Sequence, residues 1–384
     1  MVFRVMNFVA LRMLTGDRSK YFGLIFAIAF CTFLVENQTS IFAGIMERTA
    51  SQILDVTDAE VWVMDPATEY WEQTKPLKDT DLMHVRGVPG VQWAVRLFKG
   101  TPVARTLSGR FAVSFLIGLD DASLAGAPRK MFMGSWERLR EPDSIIIDKA
   151  GYVLLFPDEP FELDRSLEMN DHRVTIVGIS DASAPHVSLP VMHARYSEAV
   201  NFLGRERTQL SFIIARPTPG VSPGALTTRI AAQTGLRART TNEFMWDCVR
   251  YYMEHTAIPV NFGITISVAL LVGTVVAGQT FYLFTFENLK QFGALKAMGV
   301  TNLRLIGMIL LQALIAGGLG FALGTGVAAT FFEIAGREMA MRGMRLMWQS
   351  VGLTGMAILL VVAIASVLSI RRVLVLEPAS VFRT

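Results

Sequence analysis

Four stretches of this chain are too apolar and too long for an ordinary water-soluble core. Residues 21–46, 258–286, 305–332 and 348–370 are dominated by Val, Ile, Leu, Phe, Ala and Gly, and the last three carry no Asp, Glu, Lys or Arg. A hydrocarbon layer about 30 Å thick needs roughly 20 helical residues at about 1.5 Å each, so every stretch reaches across as a helix. Inside lipid every peptide group must be bonded, and an apolar run of this length achieves that within its own segment as a helix. Charged residues are 18% of the 384, against about a quarter in a soluble domain. The shortage is confined to these stretches, and residues 47–257 are ordinarily polar. The expected fold class is therefore membrane α-helical, with four transmembrane helices and a large α+β extracytoplasmic domain between the first and second.

The first stretch has a flaw. Glu36-Asn37-Gln38 interrupts it, either because the helix has reached the interface or a partner helix, or because a polar site lies in the bundle. Ahead of it, residues 1–20 carry Arg4, Arg12, Arg18 and Lys20, with Phe3, Met6, Ala10 and Met13 at helical spacing. This reads as an amphipathic lead on the membrane surface, ending near Gly16-Asp17. A cleaved signal peptide is the rival, but the lead is long and no Ala-x-Ala site follows the apolar run.

Orientation follows from Lys and Arg near the span ends. Beside the four in the lead stand Lys290, Lys296 and Arg304 in the 287–304 connection and Arg371, Arg372 and Arg383 in the tail 371–384. The short connection 333–347 opposes them with Arg337, Arg342 and Arg345. The imbalance predicts both termini in the cytoplasm, with residues 47–257 outside. A thiol label on Cys248 is the obvious probe of that side.

Within 47–257, branched and aromatic runs predict strands at Ala59–Met64, Val91–Phe98, Arg110–Leu119, Ser144–Ile147, Arg173–Ile179 and Gln209–Ala215. Helices are expected at Asp79–Arg86, Ala194–Leu203 and Pro223–Gly235, with Thr241–His255 as a stalk leading directly into the second span. Pro157–Asp164 and Ser180–Pro190 read as loops.

Chemistry-bearing motifs are missing. No Gly-Lys dipeptide occurs, so the chain has no phosphate-cradling P-loop of its own. Ile145-Ile146-Ile147-Asp148 has the look of a nucleotide-binding acidic strand, but without a P-loop it reads as coincidence. The histidines show no paired metal spacing, and no Gly-x-Ser-x-Gly elbow is present. The two cysteines form no disulfide framework, and a net charge of +3 without a basic stripe argues against nucleic acid. No catalytic, cofactor-binding or metal-binding residue is assigned.

The informative segment is residues 287–304. Glu287–Met298 fits a three-turn helix, with Gly299 suited to the left-handed position after it and Thr301 to the next N-cap. Leu289, Phe292, Leu295 and Met298 fall close to one face; Gly293 and its alanine neighbours leave a low surface, and Lys290 and Lys296 stay polar. The segment is either an interfacial helix resting on headgroups or a rigid knob that seats in a partner and moves both flanking spans.

These residues resemble a known family. Gln291-Phe-Gly-Ala-Leu-Lys-Ala-Met-Gly299 is similar to the segment between spans two and three of the MacB/FtsX-type ABC transporter permeases, and Leu376-Glu377-Pro378-Ala379-Ser380-Val381-Phe382-Arg383 resembles their closing motif. Ala59–Met64, Ser144–Asp148 and Val174–Gly178 look like strands of their outer domain, and the Leu-Lys-Ala-Met-Gly wording with no fused ATPase looks closest to the DevC-like permeases.

The resemblance implies a homodimer that hydrolyses no ATP itself and couples a separate ABC ATPase, which holds ATP and Mg, to movement of the outer domain. A membrane-fusion adaptor and an outer-membrane channel are the further partners it implies. By position, Leu289, Phe292, Gly293, Leu295, Lys296, Met298 and Gly299 would meet the ATPase. Two other functions fit the same architecture: an FtsX-like mechanotransmitter that activates a periplasmic enzyme, and an ATPase-independent membrane sensor. In the third span, Gly320 and Gly324 form a small-x-x-x-small pair for close helix approach, within the bundle or at a dimer seam.

Overall fold

The alternation of side chains along a strand explains the most apolar part of the inserted domain. Val61-Trp62-Val63-Met64 and Ile145-Ile146-Ile147 are buried on every residue, which a strand tolerates only when both faces of its sheet are covered. In the computed structural model, which describes residues 2–16, 18–128, 130–204 and 210–375, both faces are covered.

In chain order the elements begin with α1 (Val2–Gly16), α2 (Arg18–Asp55), β1 (Val61–Met64), α3 (Asp79–Arg86), β2 (Val91–Gly100), β3 (Val103–Thr106), β4 (Phe111–Val113) and β5 (Phe115–Leu119). Then come β6 (Met131–Gly134), β7 (Ser144–Asp148), α4 (Lys149–Leu155), β8 (Ser166–Met169), β9 (His172–Ser180), β10 (Val191–Arg195), α5 (Tyr196–Leu203) and β11 (Phe212–Pro217). The last are α6 (Pro223–Thr234), β12 (Arg237–Thr240), α7 (Thr241–His255), α8 (Ile258–Glu287), α9 (Leu289–Ala297), α10 (Asn302–Ala335) and α11 (Trp348–Val375).

The chain divides into two compact units. One is helical and comprises residues 1–44, 257–337 and 344–384; the other comprises 45–256 together with 338–343.

In the helical unit α2, α8, α10 and α11 are each long and apolar enough to cross a membrane. The α2 helix is longer than the stretch read as the first span, running unbroken through Glu36-Asn37-Gln38 to Asp55. Glu36 is buried there and accepts a hydrogen bond from the Thr325 hydroxyl at 2.8 Å, which gives one of its oxygens a partner. The α1 lead is packed rather than free. Ala10 and Leu14 are fully buried, and the Gln312 side-chain amide of α10 donates to the Ala10 carbonyl at 2.8 Å. Asp17 and the closing motif Leu376–Arg383 lie outside the described residues.

In the other unit one mixed sheet runs β12-β1-β11-β2-β5-β10-β7-β9-β8-β3-β4, with β6 against β9. The β5–β10 and β7–β9 pairs are parallel and the remainder antiparallel. Val61, Val63, Ile145, Ile147 and Ile213 join one core, under α3 to α6. Trp62, Met64, Ile146, Phe212 and Ile214 point the other way, into a second core with Phe244 and Cys248 of α7. There Trp71 stacks on Phe212 at 5.0 Å between centroids, and Trp62 meets both edge-on. Such pairs contribute about 0.5–1.5 kcal/mol each beyond their burial. The Trp62 indole N–H donates to the Thr241 hydroxyl at 3.2 Å, so its polar end is not stranded.

The predicted strands and helices of this unit fall on β1, β2, β4–β5, β7, β9, β11, α3, α5, α6 and α7. Two corrections apply. Ala194–Leu203 is not all helix: Val191–Arg195 is a strand, and the helix begins at Tyr196. The stalk does not run directly into the second span, because α7 ends at His255 and Thr256 is extended at φ −125°, ψ 157°. Cys248 is fully buried and its thiol is pushed up to about 12 by burial, so it is a poor topology probe on either side of a membrane.

Candidate functional site

The connection between α8 and α10 folds as a short helix because its apolar residues have somewhere to go. The α8 helix ends at Glu287, Asn288 sits at the junction with its side-chain amide bonded to the Phe284 carbonyl at 2.8 Å, and α9 follows. Phe292 is 0% exposed and belongs to the apolar core of the helical unit, which also takes in Leu305, Met308 and Ile309 of α10. Gly293 beside it is also buried. Leu289 and Leu295 are partly buried against the same cluster. Thus Phe292 and Gly293, placed by the sequence on a partner-facing surface, hold the segment to its own bundle.

What remains outside is different. Met298 is 72% exposed, and Lys290, Gln291, Ala297 and Gly299 are exposed as well. Gly299 takes φ +87°, the left-handed turn that ends α9 and that residues with a Cβ rarely adopt. Thr301 occupies the N-cap position of α10, although its side chain makes no cap bond. The Lys296 ammonium reaches the Leu374 carbonyl of α11 at 3.1 Å, which ties the segment to the fourth span.

The same end of the helical unit contains a cleft of about 670 Å³ between α1 and the α8–α9 junction, lined by Phe8, Arg12, Met13, Gln291, Leu295 and Met298 among others. Lys20 and Glu287 form an ion pair nearby. The contribution of α1 was legible only as an amphipathic lead. Its pairing with α9 across a cleft is a tertiary fact.

Gly320 and Gly324 face the first span. A Cβ on Gly324 would lie 2.5 Å from the Ala29 carbonyl oxygen and 2.6 Å from the Thr32 Cβ, and one on Gly320 would lie 2.7 Å from the Ile28 Cβ. Thr32 in turn bonds its hydroxyl to the Ile28 carbonyl at 2.8 Å. On the other side of α2, Cys31 occupies the space over Gly273 of α8. Small residues therefore set the spacing of three helices within one chain. Among the described residues no group of His, Cys, Asp or Glu is placed to hold a metal ion.

A bundle of four long apolar helices, interrupted by a large α+β insertion and by a short anchored helix between the second and third, defines a class of membrane subunit. Residues 263–378 match the family model described as FtsX-like permease C-terminal. The match spans α8 to α11, under a third of the chain, and agrees with the resemblance of the 287–299 segment to the MacB/FtsX-type permeases. No curated protein sequence matches it.

Two solved structures are similar. One is the extracellular domain of the ABC-type transporter YknZ from Gram-positive bacteria, at 13% identity and TM-score 0.36, covering 47% of this chain and 98% of that one. The other is the periplasmic region of MacB from Actinobacillus actinomycetemcomitans, at 13% identity and TM-score 0.38, covering 52% of this chain and 94% of that one.

Proposed function

We propose that the chain is the membrane subunit of an ABC-type export complex, in which a separate ATPase docks on α9 and its movement is passed through the spans to the inserted domain. The observation that carries this reading is the construction of α9. Phe292 and Gly293 are buried in the bundle, while Met298 and Gln291 stay exposed beside the cleft at α1. A helix held in this way moves as one body with α8 and α10, which a force-transmitting contact requires. Leu289, Leu295 and Lys296 then position the segment, and Met298, Gly299 and the cleft wall touch the partner.

In this reading ATP and Mg belong to the partner, and the chain performs no chemistry of its own. A homodimer with an adaptor on the inserted domain and an outer-membrane channel beyond completes the assembly, with the DevC-like arrangement as its nearest likeness. Both termini lie in the cytoplasm of an inner membrane.

The test is a pull-down of tagged protein in mild detergent with mass spectrometry. Met298→Asp serves as the variant because Met298 is exposed, whereas Phe292→Asp would damage the bundle. An ATPase recovered with the native protein and lost with folded Met298→Asp supports the reading, and a co-purifying adaptor favours export over activation of a periplasmic enzyme. If no ATPase is recovered even after cross-linking, the permease mechanism is abandoned.

A further inference from the structure

The turn between the third and fourth spans groups with the inserted domain. Residues 338–343 belong to that unit, whereas 337 and 344 on either side belong to the helical one. The reason lies in two arginines. The Arg342 guanidinium pairs with the Asp148 carboxylate and also donates to the Ala182 carbonyl. Asp148 is 0% exposed, and its other oxygen accepts the Gly151 amide at 3.1 Å, capping α4, and the Val191 amide at 2.9 Å. The Arg48 guanidinium, near the end of α2, donates to the carbonyls of Ala340, at 3.1 Å, and Arg342, and to the Ser188 hydroxyl at 3.3 Å.

The loop 182–188 is thereby held from two sides. Toward α2, Ser51 donates to the Ala184 carbonyl at 2.8 Å, Gln52 to the Ser183 carbonyl at 2.9 Å, and Ser183 bonds the Asp55 carboxylate through both its amide and hydroxyl. Toward the turn, an ideal Cβ on Gly343 would lie 3.7 Å from the Ala184 Cβ.

We propose that Glu338–Gly343 is a latch: Arg342 inserts into the inserted domain as the counter-ion of buried Asp148, so that this domain pulls on the third and fourth spans through the turn as well as on the first and second through α2 and α7. A buried carboxylate holds its cation because leaving it unpaired is expensive, and backbone bonds from Arg48 fix the peptide that carries that cation. The proposal deepens the force-transmission reading and rests on it only for its purpose. The contact itself is testable on the purified chain with no ATPase present.

The first experiment uses Ala184→Cys/Gly343→Cys in the full-length protein in detergent under mild oxidant. A disulfide needs Cβ atoms about 3.5–4.5 Å apart, so the pair is expected to close in most molecules. The native thiols Cys31 and Cys248 are buried and do not compete. Adding Arg342→Gln is expected to slow closure at least tenfold.

Because a cysteine at Gly343 sits at φ +77°, hydrogen exchange provides a second readout free of that strain. Arg342→Gln is expected to speed exchange at least tenfold in 181–191 and 338–343 while leaving β11 unchanged, and Asp148→Asn/Arg342→Gln, which leaves no unpaired charge buried, is expected to recover protection in part of 181–191 but not in 338–343. Exchange in Arg342→Gln equal to that of the native chain would overturn the latch. So would disulfide closure that ignores Arg342.

Discussion

Replacing Gly324 by alanine adds one methyl group where the first and third spans leave no room for it. The new Cβ would stand 2.5 Å from the Ala29 carbonyl oxygen and 2.6 Å from the Thr32 Cβ, about 1 Å inside ordinary contact. Neither obstacle is a flexible side-chain tip. One is backbone, and the other is a Cβ whose hydroxyl is bonded to the Ile28 carbonyl. The helices must therefore separate, which also loosens the contact of Gly320 with Ile28 one turn away.

Overpacking of this kind costs about 1–3 kcal/mol. Alanine also favours a helix over glycine by up to about 1 kcal/mol, and this term must be removed before the steric one is read. Gly326 supplies the control: it lies two residues along the same helix, and a Cβ there meets nothing within 4 Å. The difference between Gly324→Ala and Gly326→Ala cancels the propensity and should be about 1–3 kcal/mol, roughly a fivefold to 150-fold change in the unfolding constant. Reversible unfolding in mixed micelles, with each variant beside the native protein, measures it. Equal stability of the two variants within about 0.5 kcal/mol would refute the packing argument. A change confined to self-association, with unfolding unaltered, would move this glycine face to a dimer seam.

Other expectations separate positioning from contact and test burial. Phe292→Ala should destabilise the helical unit by about 3–5 kcal/mol, since the ring is fully enclosed, whereas exposed Met298→Ala should stay within about 0.5 kcal/mol in the same unfolding assay. His193 is fully buried, and burial holds its imidazole down at about 4, below its ordinary 6.5. The unfolded chain then takes up the proton first, so stability is unaffected by His193 above about pH 6.5 and falls by roughly 1.4 kcal/mol per unit down to about pH 4. Comparing the native chain with His193→Gln by thermal melts across that window isolates the effect from the carboxylates; parallel curves would count against it. Thr241→Val removes the acceptor of the Trp62 indole and the donor to the Ala59 carbonyl, and should cost about 1–3 kcal/mol in the inserted domain, read by tryptophan fluorescence during unfolding.

The sequence by itself determined the features that depend on local composition. A span is a length of apolar chain, so α8, α10 and α11 could be read residue by residue, and Gly299 announced the end of α9 by its freedom at positive φ. Strands buried on both faces, such as Val61–Met64 and the Ile145–Ile147 centre of β7, were legible as unbroken apolar runs. Strands β3, β8 and β12 were not, because Val103–Thr106, Ser166–Met169 and Arg237–Thr240 are short, each holds a charged residue, and each pairs with strands distant in the chain.

Periodicity gave α9 an apolar stripe but could not say what that stripe would cover. The tertiary structure spends Phe292 on the bundle and leaves Met298 outside. Arg342 is the clearest case. In sequence it was one of three cations weighed to orient a loop, and Asp148 was a stray resemblance. Their pairing across 194 residues is decided by folding alone, because a buried carboxylate selects whichever cation the assembled domain brings to it.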